Sequence, residues 1–159
     1  MLCYTQRMNA THKTPINIKP FALKKGLLLI NLGTPAASDV SSVRHYLRKF
    51  LSDKRVIDLP APLRTLLLYF FILPFRPQQS AHAYQTIWTE QGSPLLTNSI
   101  ELTEQVQQRL AHSHTVVLGM RYGEPSLQSA LSQLAHCDEL TILPLFPQYS
   151  SAATGSAIE

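Results

Sequence analysis

Gly26-Leu27-Leu28-Leu29-Ile30-Asn31-Leu32-Gly33-Thr34-Pro35 is the stretch that decides the fold. Four apolar residues stand in a row with no polar alternation. A strand wetted on one face alternates; an unbroken run needs cover on both faces, as in a parallel sheet flanked by helices. Asn31, Gly33 and Pro35 then break the strand into a loop. The same pattern returns at Thr115-Val116-Val117-Leu118-Gly119-Met120 and at Leu140-Thr141-Ile142-Leu143. Helical spacing fills the gaps. Val43, Tyr46, Leu47 and Phe50 repeat along one face, with Ser38 or Asp39 placed to cap. Residues 80–89 read as a helix, closed by the turn Gln91-Gly92-Ser93-Pro94. Residues 100–110 form an amphipathic helix with Leu102, Val106 and Leu110 on one side. Residues 125–135 form another, with Pro125 near its first turn and Leu127, Leu131 and Leu134 inward. Alternating strands and helices predict an α/β fold, a doubly wound parallel sheet. The Ser/Thr/Gly segment 150–156 reads as a loop leading into a further helix, and the chain reads as ending inside that helix start.

The 159 residues suffice for one compact domain. With 45% hydrophobic and 15% charged residues the composition is globular. The net charge of +4 suits an anionic ligand or an acidic membrane surface. The basic residues are scattered, so nucleic acid is not implied as a partner. Two cysteines, Cys3 and Cys137, make no paired spacing, which fits a reducing compartment. Residues 1–24 carry Arg7, His12, Lys13, Lys19 and Lys24 and no acid, without the apolar core of a secretory signal. They read as a flexible N-terminal arm, or more weakly as an organelle-targeting segment, ahead of a domain over 25–159.

Residues 63–75 are the oddest stretch. Leu66-Leu67-Leu68-Tyr69-Phe70-Phe71-Ile72-Leu73 is wholly apolar and closed by Pro74 and Pro77. It falls well short of the roughly 20 residues a membrane span needs. Either it is a buried helix, or it is an exposed apolar lip touching membrane or substrate.

In open α/β sheets ligands bind beyond the carboxyl ends of the strands. Asn31-Leu32-Gly33-Thr34, Arg121-Tyr122-Gly123 and Gln148-Tyr149-Ser150-Ser151 are therefore expected to converge on one cleft, with Arg76 as a second arginine nearby. Hydroxyls, small residues and arginine beside apolar walls suit a small anionic molecule. Neither G-x-G-x-x-G nor G-x-x-x-x-G-K-[ST] nor G-x-S-x-G occurs. None of His12, His45, His82, His112, His114 and His136 pairs with a carboxylate at metal-site spacing, so no metal ligand is assigned. These readings stop at an α/β domain with a basic and apolar cleft.

Several separated motifs, in order, carry a resemblance from about residue 25 onward. They are Leu29-Ile30-Asn31-Leu32-Gly33-Thr34-Pro35; Tyr46-Leu47-Arg48-Lys49-Phe50-Leu51-Ser52-Asp53 with Arg55-Val56-Ile57; Leu73-Pro74-Phe75-Arg76-Pro77 with Tyr84 and Ile87-Trp88-Thr89-Glu90-Gln91-Gly92-Ser93-Pro94-Leu95; Met120-Arg121-Tyr122-Gly123; and Pro144-Leu145-Phe146-Pro147-Gln148-Tyr149-Ser150. Together they resemble the N-terminal half of ferrochelatases of the protoporphyrin type. The resemblance implies a chelatase-like lobe of a two-lobe lyase of haem biosynthesis, which inserts ferrous iron into protoporphyrin IX to give protohaem.

It also implies roles for residues. Arg76, Tyr84 and Ser93 match positions facing the propionate edge. Leu32, Phe50, Val56 and Ile57 match apolar positions near the macrocycle face, and Arg121 and Tyr122 a polar pair on the pocket wall. Tyr149 and Ser150 belong to the loop that borders it. Enzymes acting on coproporphyrin resemble this chain but place a tyrosine at Leu32. The family's proton-accepting histidine lies in its second half, so no catalytic residue is expected in this chain and the C-terminal lobe is expected to be missing.

Ferrous iron is implied as substrate, with no permanently bound cofactor. One ligand of the [2Fe–2S] cluster found in some members would fall at Ser151, and no cluster is expected. The lip reading of 63–75 implies peripheral membrane contact, and the resemblance fits a cytoplasmic protein at the inner membrane. Two other functions stay open: a non-catalytic porphyrin or haem-binding module, and a chelatase for another tetrapyrrole.

Overall fold

The computed structural model describes residues 23–158. The arm expected over 1–24, with Cys3 and His12, lies outside the described residues except for Leu23 and Lys24. Lys24 is already fixed: its N–H donates to Asp138 Oδ2 at 2.9 Å and its carbonyl accepts from Asp138 N–H at 2.7 Å.

Three parallel strands form the sheet: β1 (Lys25–Asn31), β2 (His114–Met120) and β3 (Glu139–Pro144). Their order is β2-β1-β3, so the first strand is central. Leu28 stands opposite Val117 on one side and Ile142 on the other. The apolar run at 27–30 is thereby hydrogen-bonded on both edges and buried on both faces. Leu28, Leu29 and Ile30 are each 1% exposed, a burial that stabilises by about 2 kcal/mol per side chain.

The side chains alternate across the sheet. Leu27 and Leu29 join Val116, Leu118 and Met120, covered by Leu96, Val106 and Leu110 of α4 (Pro94–Leu110). Leu28 and Ile30 join Ala130 of α5 (Leu127–Gln133) and Leu134 just beyond it. Helices on both faces make the sheet doubly wound, as the sequence predicts.

Before α4 come α1 (Val40–Leu51), α2 (Ala61–Leu67) running into a π-helical turn (Leu68–Ile72), and α3 (Arg76–Ile87). Of the two candidate caps of α1, Asp39 serves, accepting from the N–H groups of Ser41 and Ser42. This hydrogen bonding, led by Ser42, holds the exposed carboxyl below its ordinary range. Helix α3 starts earlier than residue 80, because Pro77 fits a first turn that needs no N–H there. For the same reason Pro94 starts α4 directly after the 91–94 turn. Pro125 instead precedes α5, through a cis Glu124–Pro125 bond, and Ser126 caps that helix by accepting from Ser129 N–H. Leu102 and Leu131, expected inward, are exposed. Segment 150–156 is not a loop: Ser150 caps a π-helical turn (Ser151–Gly155) that continues into Ser156–Ile158.

The buried-helix reading of 63–75 is overturned. Leu68 and Leu73 turn inward against Val43, Tyr46, Leu47 and Ala81. Ile72 packs partly against the same cluster, while the aromatics face outward, with Phe70 67%, Phe71 64% and Phe75 73% exposed. The segment is anchored to α1 and to Ala81 of α3 along its inner edge, and the aromatics are left as a lip.

Gly33 closes the fold at the end of β1. Its φ of +108° favours glycine, and a Cβ would run into the carbonyl of Tyr122. Gly33→Ala is expected to destabilise the domain by at least about 3 kcal/mol. Urea unfolding checks this; a loss below about 1 kcal/mol would refute the close approach.

Candidate functional site

The loops after the strands are held by the end of β1. Ile30 O accepts from Leu145 N–H at 2.7 Å, Asn31 O from Arg121 N–H at 2.9 Å, and Leu32 O from Tyr122 N–H at 2.8 Å. Beyond this edge, between the start of α1 and the start of α4, lies a cleft of about 710 Å³. Tyr46, Trp88 and Tyr122 give it aromatic walls, Thr34 and Ser93 give hydroxyls, and Lys49 gives a cation.

Ser93 is buried and accepts from Thr34 Oγ1 at 2.9 Å. Its carbonyl receives the N–H groups of Leu96 and Thr97, so the residue is fixed by the helix it caps. Tyr46 donates from its hydroxyl to Gly33 O at 3.2 Å and stacks on Phe50 at 6.0 Å. Tyr84 meets Tyr46 edge-on at 6.4 Å and Trp88 at 6.1 Å. Phe50 meets Tyr122 edge-on at 5.2 Å. Leu32 packs into the same cluster. The chain of rings thus ties α1, α3 and the end of β2 into one apolar body beside the cleft.

Asp53, which the motif reading quoted without assigning a role, is the hub of the polar side. Its Oδ2 accepts from Arg121 Nη2 at 3.1 Å, from the Tyr122 hydroxyl at 2.6 Å and from Ser156 Oγ. Its Oδ1 accepts from Arg55 N–H at 2.8 Å. Arg121 Nε also donates to Ser156 Oγ at 2.8 Å, and its guanidinium lies 5.1 Å from the Tyr122 ring centre. Burial pushes the Asp53 carboxyl up, but the donated hydrogen bonds of Ser156 and Tyr122, the Arg55 N–H and the Arg121 charge prevail. Together they hold it down at about 2. Burial, then the bond to Asp53, pushes the Tyr122 phenol up to about 12. Burial likewise raises Tyr46 and Tyr84. All three phenols are therefore neutral donors and walls at ordinary pH, not bases.

The expected residues do not all meet. Ser93 and Tyr122 line the cleft, and Leu32, Phe50 and Tyr84 build the body behind it. Arg121 is not in the lining; it is tied to Asp53. Val56 and Ile57 are half-buried in the turn after α1, where their N–H groups bond to Asp53 O. Arg76 lies apart, exposed in a shallow groove with Phe71, Phe75 and Gln79, and makes no ion pair with another described residue. Tyr149 and Ser150 are exposed and outside the lining; the Tyr149 hydroxyl sits with Arg55 around Gly155.

His45 and Lys49 of α1 do line the cleft. Their period of four with Tyr46 and Phe50 beside them was the available signal. Among the described residues no group of three His, Cys, Asp or Glu side chains could hold a metal ion.

The parallel sheet of this α/β protein carries an aromatic, hydroxyl-bearing cleft beyond its carboxyl edge, the place where open α/β sheets take their ligands. The ferrochelatase family model matches residues 24–159. The chain is 60% identical over 137 residues to the ferrochelatase of Legionella pneumophila (strain Corby), covering 86% of this chain and 41% of that one. It is 54% identical over 138 residues to the ferrochelatase of Coxiella burnetii (strain Dugway 5J108-111), covering 86% of this chain and 39% of that one. This chain belongs to the ferrochelatase family, and it spans about two fifths of the length of the curated relatives it matches.

Asp53→Asn is expected to lose about 2 kcal/mol of stability at neutral pH. Because the folded carboxyl titrates below its unfolded value, the stability it contributes is fully present above about pH 4. That contribution fades as pH falls through about 2. Urea midpoints of both forms across this window should converge in acid; a constant gap would refute the low carboxyl.

Proposed function

We propose that this chain is the porphyrin-binding lobe of a ferrochelatase, which inserts ferrous iron into protoporphyrin IX to give protohaem. The observation that carries the reading is the family match over 24–159, to relatives named ferrochelatase. The aromatic cleft beyond the sheet supports it. Flat, apolar macrocycle surface suits ring walls such as Tyr46, Trp88 and Tyr122, and the body of Leu32 and Phe50 keeps them in position. Val56 and Ile57 extend the apolar side in this reading.

The propionates are carboxylates and need donors. Ser93 offers a fixed hydroxyl, and Tyr84 a neutral phenol. Arg76 offers a guanidinium that no described carboxylate claims, suited to charge-assisted and bidentate bonding. Arg121 and Tyr122 act through Asp53 as a fixed edge of the pocket, and Tyr149 and Ser150, outside the lining of this chain's cleft, reach the macrocycle in this reading only from beyond that edge. Leu32, in the body behind the cleft wall, is a leucine and not a tyrosine, in keeping with protoporphyrin rather than coproporphyrin.

In this reading the lobe binds and bends the macrocycle, a strain of about 1–5 kcal/mol drawn from remote contacts. The base that accepts pyrrole protons belongs to the second lobe. Ferrous iron enters as substrate, and no permanently bound cofactor or [2Fe–2S] cluster takes part. Among the described residues no helix is long and apolar enough to cross a membrane. The exposed lip over 63–75 supports a peripheral contact with the inner membrane from the cytoplasmic side, where a poorly soluble porphyrin is delivered.

The test is a fluorescence titration of the protein, as purified from its cells, with protoporphyrin IX and with its dimethyl ester. Arg76→Ala should weaken the free acid at least about tenfold, the worth of one charge-assisted hydrogen bond, and barely change the ester. Equal loss for both would remove Arg76 from the propionate role. Haem formation from ferrous iron, followed by absorbance, tests the reaction; porphyrin binding without turnover would leave a binding module.

A further inference from the structure

The lip is flanked by positive charge. On one side a groove opens between α1 and the lip, lined by Arg44, His45, Arg48, Tyr69, Leu73 and Pro74. Arg44 and Arg48 are four residues apart and so stand on one helix face. Both are exposed, and neither pairs with a carboxylate of the described residues. Arg48 Nη2 instead donates to His45 Nδ1 at 3.3 Å, which fixes one guanidinium in the groove. On the other side of the lip a second groove holds Arg76 beside Phe71 and Phe75.

The stretches that build this surface are free of acid. Residues 40–52 and 59–89 contain Arg44, Arg48, Lys49, Arg64 and Arg76 and no Asp or Glu. Between the grooves stand Tyr69, Phe70, Phe71 and Phe75, all exposed. So large an apolar patch is rare on a soluble surface without a partner. Aromatic side chains that enter an interface, with arginines level with the headgroups, are the chemistry of binding to negatively charged lipid. A neutral bilayer would use only the aromatics; an acidic one would use both.

We infer that the groove of Arg44 and Arg48 receives the phosphate headgroups of an anionic bilayer, so that docking of the lip depends on lipid charge. The inference rests on the peripheral contact proposed above and adds to it a lipid class and the residues that select it. The arginines sit beside the aromatic ridge, so burying the ridge in the acyl boundary brings the guanidinium groups to headgroup depth. Arg44 lines only the groove, whereas Arg48 bonds to His45, which lines the cleft as well, so the single variant Arg44→Gln separates lipid selection from porphyrin binding.

The experiment is co-sedimentation of the protein, as purified from its cells, with vesicles of phosphatidylcholine alone and of phosphatidylcholine mixed with phosphatidylglycerol. Binding should be much stronger to the mixed vesicles and should fall as salt is raised. The double variant Arg44→Gln/Arg48→Gln should weaken binding to mixed vesicles by roughly 30-fold, about fivefold per arginine. Its weak binding to the neutral vesicles and its melting temperature should be unchanged. Phe70→Ser/Phe71→Ser should lose binding to both. Equal binding to the two vesicle types, or a double arginine variant that binds like the parent, would overturn the inference. So would capture of a protein partner by this face with no vesicle binding. Porphyrin titration of Arg44→Gln in vesicle-free buffer separates the two readings: unchanged titration with vesicle binding weakened about fivefold supports both. No porphyrin binding by the parent would sink the functional reading alone.

Discussion

The carbonyls of Ile30, Asn31 and Leu32 accept the N–H groups of Leu145, Arg121 and Tyr122, and this short ladder positions everything beyond the sheet. Because β1 is central, its last carbonyls reach the loops that leave both neighbours. Each loop departs at a height set by backbone bonding rather than by its own side chains. The approach is close enough that only glycine is tolerated at residue 33. The cleft, the ring cluster and the Asp53 hub are all built on backbone whose course is decided there.

Two different kinds of cohesion meet at this edge. One is apolar: Tyr84, Tyr46, Phe50 and Tyr122 touch in that order, and Leu32 packs partly buried against them. The other is polar: Asp53 gathers an arginine, a tyrosine and a serine from two distant parts of the chain. Tyr122 belongs to both, with its ring in the first and its hydroxyl in the second. A charged hub is costly to bury unless every lone pair is met, and Asp53 has its donors on both oxygens. That arrangement ties the edge together, and burial leaves the phenols un-ionised, so Tyr46 and Tyr122 offer the cleft ring surface rather than charge.

The lip is the contrary case. Leu68 and Leu73 anchor it, and the aromatics between them have nothing to pack on within the described residues. Composition alone would have buried them. Charge on the neighbouring helices, rather than the lip itself, is what gives the exposed patch a direction and a chemistry.

Much was legible in the sequence. The unbroken apolar run at 27–30 required cover on both faces and so a doubly wound sheet, because a one-sided strand alternates. The spacing of Val43, Tyr46, Leu47 and Phe50 placed α1, and separated motifs pointed to the ferrochelatase family. These features are local, set by periods of two and 3.6 and by short patterns. Tertiary structure alone decided the rest. That the Tyr122 ring would line the cleft while its hydroxyl and Arg121 both bond Asp53 follows from a carboxylate 68 and 69 residues away in the chain. That Ser93 would stand in the cleft and Arg76 outside it follows from how α3 and α4 leave the lip. That Leu102 and Leu131 would stay exposed follows from which part of each helix the sheet is wide enough to cover. Long-range packing has no period in the chain, so these outcomes are physical consequences of the fold and appear only once it is assembled.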